Sequence, residues 1–295
     1  VLHCGLNYKP KSLKARLAFN GIREMVNFCK ENNLDHDRCG KVVVATNDDE
    51  KKTLENLAQR GKLNGLNGLK FLNSTELKSR EPYVKGVAAL LVPEEGIVDY
   101  KAVMKKMSNY IIDSGGKIYF NSKIKNVSDT NTIVYDNGFE KEFDLIINCT
   151  GLYSDITFSN FTKKKRPLRI IPFRGEYMNI KDEYKNIVNH LVYPVPDPKF
   201  PFLGVHFTRL VNGAREVGPN AVLALKREGY SNKDISIRDS LDSISYVGLH
   251  SFVAKNFRFA VNEFFSSLFL KSFVKKAKKL IPDINEKMIE KGGAG

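Results

Sequence analysis

The stretch YPVPDPKFPFLGVHFTRLVNGAREVGPN, residues 193–220, sets one histidine, His206, into an alternating apolar segment behind four prolines. A histidine there is either a core side chain with a hydrogen-bond partner or a base that exchanges a proton near neutral pH. The Asn212-Gly213 pair that follows is a strong hairpin signal. With a two-residue turn, Val211 faces Ala214, and counting back sets His206 opposite Pro219 and close to Asn220. Alternation turns Leu203, Val205 and Phe207 one way and Gly204, His206 and Thr208 the other. The imidazole then lies on the less apolar face, which favours the base over the core side chain.

Metal chemistry has little to build on. Cys4, Cys29, Cys39 and Cys149 form no CxxC pair, and His36 with Cys39 in HDRC is a single pair with no second cluster. Structural and catalytic metal sites need three or four convergent ligands, so no metal is expected. Cysteines so dispersed read as free thiols in a reducing compartment.

The elements that must hold such a site come from 295 residues, 42% apolar and 27% charged, enough for one large domain or two intimate ones. No apolar run reaches the roughly 18 residues of a membrane span, and no signal peptide is visible. The sequence opens on Val1 and closes on KGGAG, and it reads as an internal piece of a longer protein. The net charge of +14 comes from 47 Lys+Arg against 33 Asp+Glu. Its lysines are spread out, densest at KKKRPLR (163–169) and KSFVKKAKK (271–279), and asparagine is also abundant. Without Trp, an RNP-like motif, a zinc finger or a helix-turn-helix, this is a compositional bias rather than a nucleic-acid surface.

Along the chain, Leu13, Leu17, Met25, Val26 and Cys29 recur at helical spacing, KVVVAT (41–46) reads as a strand, and NDDEKKTLENLAQRGKLNG reads as an Asp-capped helix. Asp99 caps a further helix whose stripe is Val103, Met104, Met107 and Ile111, stopped by Gly115-Gly116. The segments KIYF, KIKNV and TIVYD, with a turn at Asn137-Gly138, read as strands. EFDLIINCTG reads as a strand buried on both faces of a mainly parallel sheet, ending in Thr150-Gly151, where a glycine lets backbone approach a ligand's phosphates. From Arg169 onward, RIIPFRGEYMNI, FPFLGVHFTRLV and AREVGPNAVLAL read as antiparallel strands. Residues 235–291 are helical in pattern, with breaks near Gly248 and Pro282.

The blocks HCGLNYKPKSLKARL (3–17), CGKVVVA (39–45), EGIVDY (95–100), CTGLYSD (149–155), IPFRGEY (171–177), YPVPDPKFPFLGVHFT and GPNAVLALKREGY carry a family likeness across most of the chain. On them the chain resembles the L-2-hydroxyglutarate dehydrogenase/oxidase family, FAD enzymes of the D-amino-acid-oxidase-like superfamily. The resemblance implies an α/β fold in which a two-dinucleotide-binding, Rossmann-like FAD domain (1–40, 96–166 and 276–295) interleaves with an antiparallel-sheet substrate domain (41–95 and 167–275). The FAD domain is incomplete. The family's Gly-rich turn, which aims backbone N–H groups at the FAD pyrophosphate, has no counterpart, since no GxGxxG occurs here. The family also continues past the final glycines into a segment with a substrate-binding arginine. Cys4 stands where the family commonly has Ser.

The implied reaction is oxidation of L-2-hydroxyglutarate to 2-oxoglutarate, with electrons passed from FAD to a quinone or oxygen. It needs a hydride acceptor, a base for the hydroxyl proton, and cations for two carboxylates. His206 is the first candidate for the base, and His3, in the block that resembles the family's flavin-edge loop, is the second. Arg174 is the best carboxylate partner because a guanidinium binds bidentately. Lys226 and Arg227 are further cations, and Tyr193, Asn220 and Tyr8 are hydrogen-bond donors. The resemblance assigns Cys4 and Gly5 to the flavin, the Val127 backbone to the adenine, and Thr150, Gly151 and Leu152 to the ribityl–pyrophosphate. The implied partners are a small 2-hydroxy dicarboxylate and a quinone or membrane surface, with no nucleic acid. The implied setting is the cytoplasm or the inner membrane periphery, mitochondrial in a eukaryote. By itself the piece is expected to bind FAD poorly and to turn nothing over. Two rivals remain: a superfamily relative of amino-acid-oxidase or glycerol-3-phosphate-dehydrogenase type, and a non-catalytic membrane-binding module built on Phe264, Phe265, Leu268, Phe269 and the lysines at 271–279.

Overall fold

The strand Lys41–Ala45 is buried at all five positions, charged Lys41 included, and the main sheet is assembled around it. The structure, a computed structural model, describes residues 1–128, 131–197 and 203–295, with the backbone alone at 258–259. By packing the chain divides into two units, 1–107 with 175–222 and 258–295, and 108–174 with 223–257. These are divisions by contact, whereas the domains expected from the sequence are divisions by role.

Eight strands form the sheet of the first unit: β1 (Lys41–Ala45), β2 (Lys70–Asn73), β3 (Ala88–Val92), β4 (Phe173–Ile180), β5 (Leu191–Pro194), β6 (His206–Arg209), β7 (Arg215–Leu223) and β8 (Ile289–Ala294). Their order is β8-β4-β7-β6-β5-β1-β3-β2. The hairpins expected around Asn212-Gly213 are antiparallel, but β5 runs parallel to β1, so the sheet is mixed rather than purely antiparallel. Residues 289–294, read from the sequence as the end of a helical region and a loop, instead add the edge strand β8 against β4.

Alternation sorts the sheet's side chains into two faces. Val42, Val44, Val192, Val205, Phe207 and Val217 share one core with Phe273, Val274 and Ala277 of the helix Leu270–Ala277 and with Leu280, Ile281 and Ile284. Val43 and Ala45 face the other way, into a second core with Leu54, Leu57 and Ala58 of helix Asp48–Leu63 and Ile22, Val26 and Cys29 of helix Leu13–Glu31. The first of these helices is capped by Asn47, whose side chain accepts from the Glu50 N–H, not by the aspartate expected.

The β6–β7 turn is one residue longer than the sequence suggests. Leu210 N–H donates to the Ala214 carbonyl around residues 211–213, with Gly213 at φ +88°. A third turn residue in the left-handed region is the usual bulged alternative to a two-residue hairpin. The register moves by one, and His206 stands opposite Gly218 rather than Pro219. Residues 198–202, with two of the prolines and the expected start of β6, lie outside the described residues.

The second unit contains the meander Ile124–Val127, Thr132–Tyr135 and Glu140–Glu142, turned at Gly138 as expected. Two expectations fail in it. KIYF forms no strand, and the run after Glu142 is not a buried strand: Leu145 is 74% and Ile147 is 75% exposed. An apolar strand buried on both faces needs hydrogen-bonded neighbours on both edges, and none of the described residues supplies them. In the helix Tyr100–Asp113, capped by Asp99 as expected, only Val103 is buried, and Met104, Met107 and Ile111 stay exposed.

Phe207 is fully buried where β6 meets the first core. Phe207→Ala is expected to cost about 3–5 kcal/mol by the cavity it opens, read as a lower urea midpoint; a loss below about 1 kcal/mol would contradict the packing described.

Candidate active site

The second face of the sheet carries the polar side chains. On β1 it carries Lys41, on β5 Tyr193, and on β6 His206 and Thr208, because each lies an odd number of positions from a residue of the first core. The pairings Leu191↔Lys41 and Val192↔Phe207 bring these strands side by side. Lys41 is 3%, Tyr193 4% and His206 5% exposed, so the group is buried although polar.

Glu95 reaches the same place from a turn. Its carbonyl accepts the Gly40 N–H, and the next residue, Gly96, bridges to Leu2, its amide accepted by the Leu2 carbonyl and its carbonyl accepting the Leu2 N–H. A side chain at position 96 would strike the Asp37 carbonyl at 2.2 Å, so only glycine permits this closeness. The bridge lays the segment 2–4 over the Glu95 carboxylate, and every acceptor direction on that carboxylate is used. Oε2 accepts from Lys41 Nζ at 2.7 Å and from His3 Nδ1 at 3.0 Å. Oε1 faces the Cys4 N–H at 3.4 Å and the Cys4 thiol at 3.2 Å. The neighbouring Glu94 serves the scaffold instead, pairing with Arg23 and the Asn67 N–H.

Electrostatics separates the two histidines. Burial alone would push the Glu95 carboxyl up, but Lys41 and His3 outweigh it and hold the group at about 2, against an ordinary 4.5. An ionised carboxylate only accepts, so His3 Nδ1 carries the hydrogen and its Nε2 keeps a free lone pair when the ring is neutral. His3 is 46% exposed at its side chain, so this nitrogen is within reach of a ligand. His206 is different. Its Nδ1 lies 3.0 Å from the Gly204 carbonyl and therefore donates. Burial pushes the ring down to about 3, the Gly204 bond offsets only part of this, and His3 and Lys41 push in the same direction as burial. His206 is thus a neutral hydrogen-bonding group rather than the near-neutral base expected. It stacks on Tyr193, centroids 3.9 Å apart, and Tyr193 lies edge-on to His3 at 6.1 Å.

Two other expected ligands are occupied. The Asn220 amide donates to the Glu263 carbonyl at 2.9 Å and its oxygen accepts from Lys276 at 3.2 Å, so Asn220 ties β7 to helix Phe257–Leu268 instead of offering a donor. Arg227 is 3% exposed and grips Asp155 with both arms at 2.7 and 3.0 Å. Arg166 joins Asp155 and Asp242 in the same buried network, which closes the second unit and corrects the view of Arg227 as a carboxylate binder. In that unit Arg174 is buried, donating to the Ser231 carbonyl at 2.8 Å and to Asn232. Lys226 is half-buried, and Tyr8, in the first unit, is exposed.

Each unit has a positive-φ glycine at residues expected to meet FAD. In the first, Gly5 holds φ +85° between the fully buried Cys4 and Tyr8, and the Asn64 amide fixes the Gly5 and Tyr8 carbonyls. In the second, Gly151 holds φ +53° with no atom within 4 Å of where a side chain would begin. No side chain caps the turn Gly151–Tyr153 or the helix Ser154–Thr162 after it. An open, uncapped helix start suits the phosphates of a dinucleotide, so Thr150, Gly151 and Leu152 fit that part of the cofactor. Val127, buried, gives its carbonyl to Lys163 at 2.8 Å. Among the described residues no three His, Cys, Asp or Glu side chains converge on a metal position, and no helix is long and apolar enough to cross a membrane.

Comparison with known proteins gives a consistent result. The family model described as FAD dependent oxidoreductase matches residues 1–268. Over its whole length the chain is 44% identical to the L-2-hydroxyglutarate dehydrogenase of Indibacter alkaliphilus, spanning 74% of that protein. It is 37% identical to the mitochondrial L-2-hydroxyglutarate dehydrogenase of Homo sapiens, spanning 66% of it, and 37% identical to the L-2-hydroxyglutarate dehydrogenase of Escherichia coli K12, spanning 70% of it. Among solved structures, an FAD-bound L-alpha-glycerophosphate oxidase from Mycoplasma pneumoniae superimposes with a TM-score of 0.74 at 21% identity over all of this chain and 70% of that one. An L-proline dehydrogenase from P. horikoshii gives 0.68 at 14% identity over 99% of this chain and 70% of that one. At these identities the structures establish a shared fold.

The depressed Glu95 carboxyl adds stability that is present above its ordinary value of 4.5 and is lost as pH falls toward about 2. In urea titrations across that window, Glu95→Gln is expected to remove up to about 1.4 kcal/mol per pH unit from the acid slope. An unchanged slope would mean that the carboxylate is not held ionised.

Proposed function

Because the chain belongs to the family of FAD-dependent oxidoreductases, we propose that it oxidises L-2-hydroxyglutarate to 2-oxoglutarate, with His3 as the group that accepts the hydroxyl proton. What carries the reading is the half-exposed His3 imidazole, backed by a buried carboxylate, in a chain 37–44% identical along its whole length to enzymes named for that substrate. FAD, when bound, supplies the acceptor for the Cα hydride.

The remaining work falls to this chain's side chains. His3 Nε2 takes the proton as the C–O bond gains double-bond character, and the imidazolium so formed is stabilised by Glu95 through Nδ1–H. His206, kept neutral and donating through Nδ1 to the Gly204 carbonyl, takes no part in the proton transfer, and the stacked Tyr193 keeps its ring from turning. Lys226 is the cation proposed for a substrate carboxylate, with Tyr8 a further donor; Arg174, buried against Ser231 and Asn232, is set aside as Arg227 is. Cys4 and Gly5 are the residues proposed for the flavin end of the cofactor, and Thr150, Gly151 and Leu152 for its phosphates.

The reading extends to a quinone or oxygen as the final electron acceptor, in the cytoplasm or at an inner-membrane surface. Phe264, Phe265, Leu268 and Phe269 are exposed next to exposed Lys271, Lys275, Lys278 and Lys279, a combination suited to peripheral contact with anionic lipid.

In the flavin-loaded protein, L-2-hydroxyglutarate added anaerobically is expected to bleach the yellow absorbance. His3→Gln is expected to slow that bleaching about 10²-fold or more with the flavin retained, and His206→Gln to slow it less. Bleaching by an amino acid or glycerol phosphate but not by L-2-hydroxyglutarate would overturn the substrate; an undiminished rate in His3→Gln would overturn the base.

A further inference from the structure

Lys41 is a charged side chain in a strand otherwise made of buried valines and alanine, and the reaction as described gives it nothing to do. Burying an ammonium is costly unless it is paired. A lysine needed only for the sheet would be replaceable by an apolar residue of similar length. Its surroundings point to a more specific role. The ammonium lies 2.7 Å from Glu95 Oε2, the oxygen that also holds His3 Nδ1. It lies 5.0 Å from the centroid of the Tyr193 ring, on which His206 stacks. One ammonium therefore stands between two histidines: His3 meets it across a carboxylate, and His206 meets it across an aromatic ring.

We propose that Lys41 is a positioning residue that sets the two histidines to different tasks, by aiming the Glu95 carboxylate at His3 while restraining its pull on the proton, and by keeping His206 neutral. The inference rests on the reading of His3 as proton acceptor. Glu95 is aimed by Lys41 on one side and by the two Cys4 groups on the other, so its contact with His3 is fixed before substrate arrives. The same ammonium tempers the pull of Glu95 on a proton at His3, which lets the ring release that proton after each turnover. Toward His206 there is no intervening carboxylate, and the positive charge acts with burial against protonation. Pushing two neighbouring titratable groups apart by their surroundings is how a site assigns separate proton roles. The other charged or titratable groups around the pair are the Cys4 thiol, Tyr193, Tyr177 and Glu216.

The test is a titration of the imidazole ring signals by NMR on the protein and its variants, which requires neither flavin nor substrate. Glu95→Gln is expected to lower the His3 midpoint and Lys41→Met to raise it, each by about one pH unit or more; Lys41→Met also raises that of His206. Lys41→Arg, which keeps the charge, stays near the unaltered protein. The double variant Lys41→Met/Glu95→Gln leaves no unpaired buried charge, so it folds even if a single variant does not, and its His3 midpoint lies above that of Glu95→Gln. In the flavin-loaded protein the acid limb of the kcat/KM profile moves in the same directions as His3. Midpoints that do not move, or that move the same way in the two single variants, would overturn the role of Lys41 while leaving the bleaching experiment to judge the substrate and the base independently.

Discussion

The polar face of the sheet depends on one buried ion pair, Lys41 with Glu95. Neither charge is tolerable alone at such depth, so the strand that carries the lysine and the turn that carries the glutamate are each obliged to meet the other. Meeting requires the bridge between Gly96 and Leu2, and that bridge brings His3 and Cys4 onto the carboxylate. The position of the proposed base is thus a by-product of neutralising a lysine. The opposite face of the same strands is a dry core of valines and phenylalanines, which makes the β1 and β5 backbones rigid enough to hold such a pair.

The two histidines show how far identical side chains diverge under different surroundings. His3 sits at the edge with an anion behind it. His206 sits deep, donates to a carbonyl and lies flat on a tyrosine. The first arrangement suits a group that gains and loses a proton in each cycle, and the second suits a fixed neutral ring. In the other unit the charges are spent on architecture: Arg227, Arg166, Asp155 and Asp242 neutralise one another and close the chain around themselves.

Much of this was legible from the amino acids. Alternation along FLGVHFT put His206 and Thr208 on the polar face, and the helices at 13–31 and 48–63 follow their periodicity and caps. What escaped has physical causes. Whether Asn212-Gly213 turns in two residues or three depends on a single φ, and that one step moved the register at His206. The run around Leu145 and Ile147 reads as a buried strand, yet a strand exists only where neighbours bond its edges. Lys41 and Glu95 were passed over because a lysine in KVVVA and a glutamate in PEEG look like solvated charges until the pairing of distant segments is known. The one available hint was a charge leading a wholly apolar strand. Arg227, Asn220 and the near-neutral titration expected of His206 went astray for the same reason, since burial and partners come from the fold and not from the residue.

The most direct measurement is a crystal structure of the flavin-loaded protein with 2-oxoglutarate bound. The account predicts the keto oxygen accepting from protonated His3 Nε2 at about 2.6–3.2 Å, with Glu95 still on Nδ1. A keto oxygen held by His206 or by an arginine, with His3 turned away from it, would contradict the account.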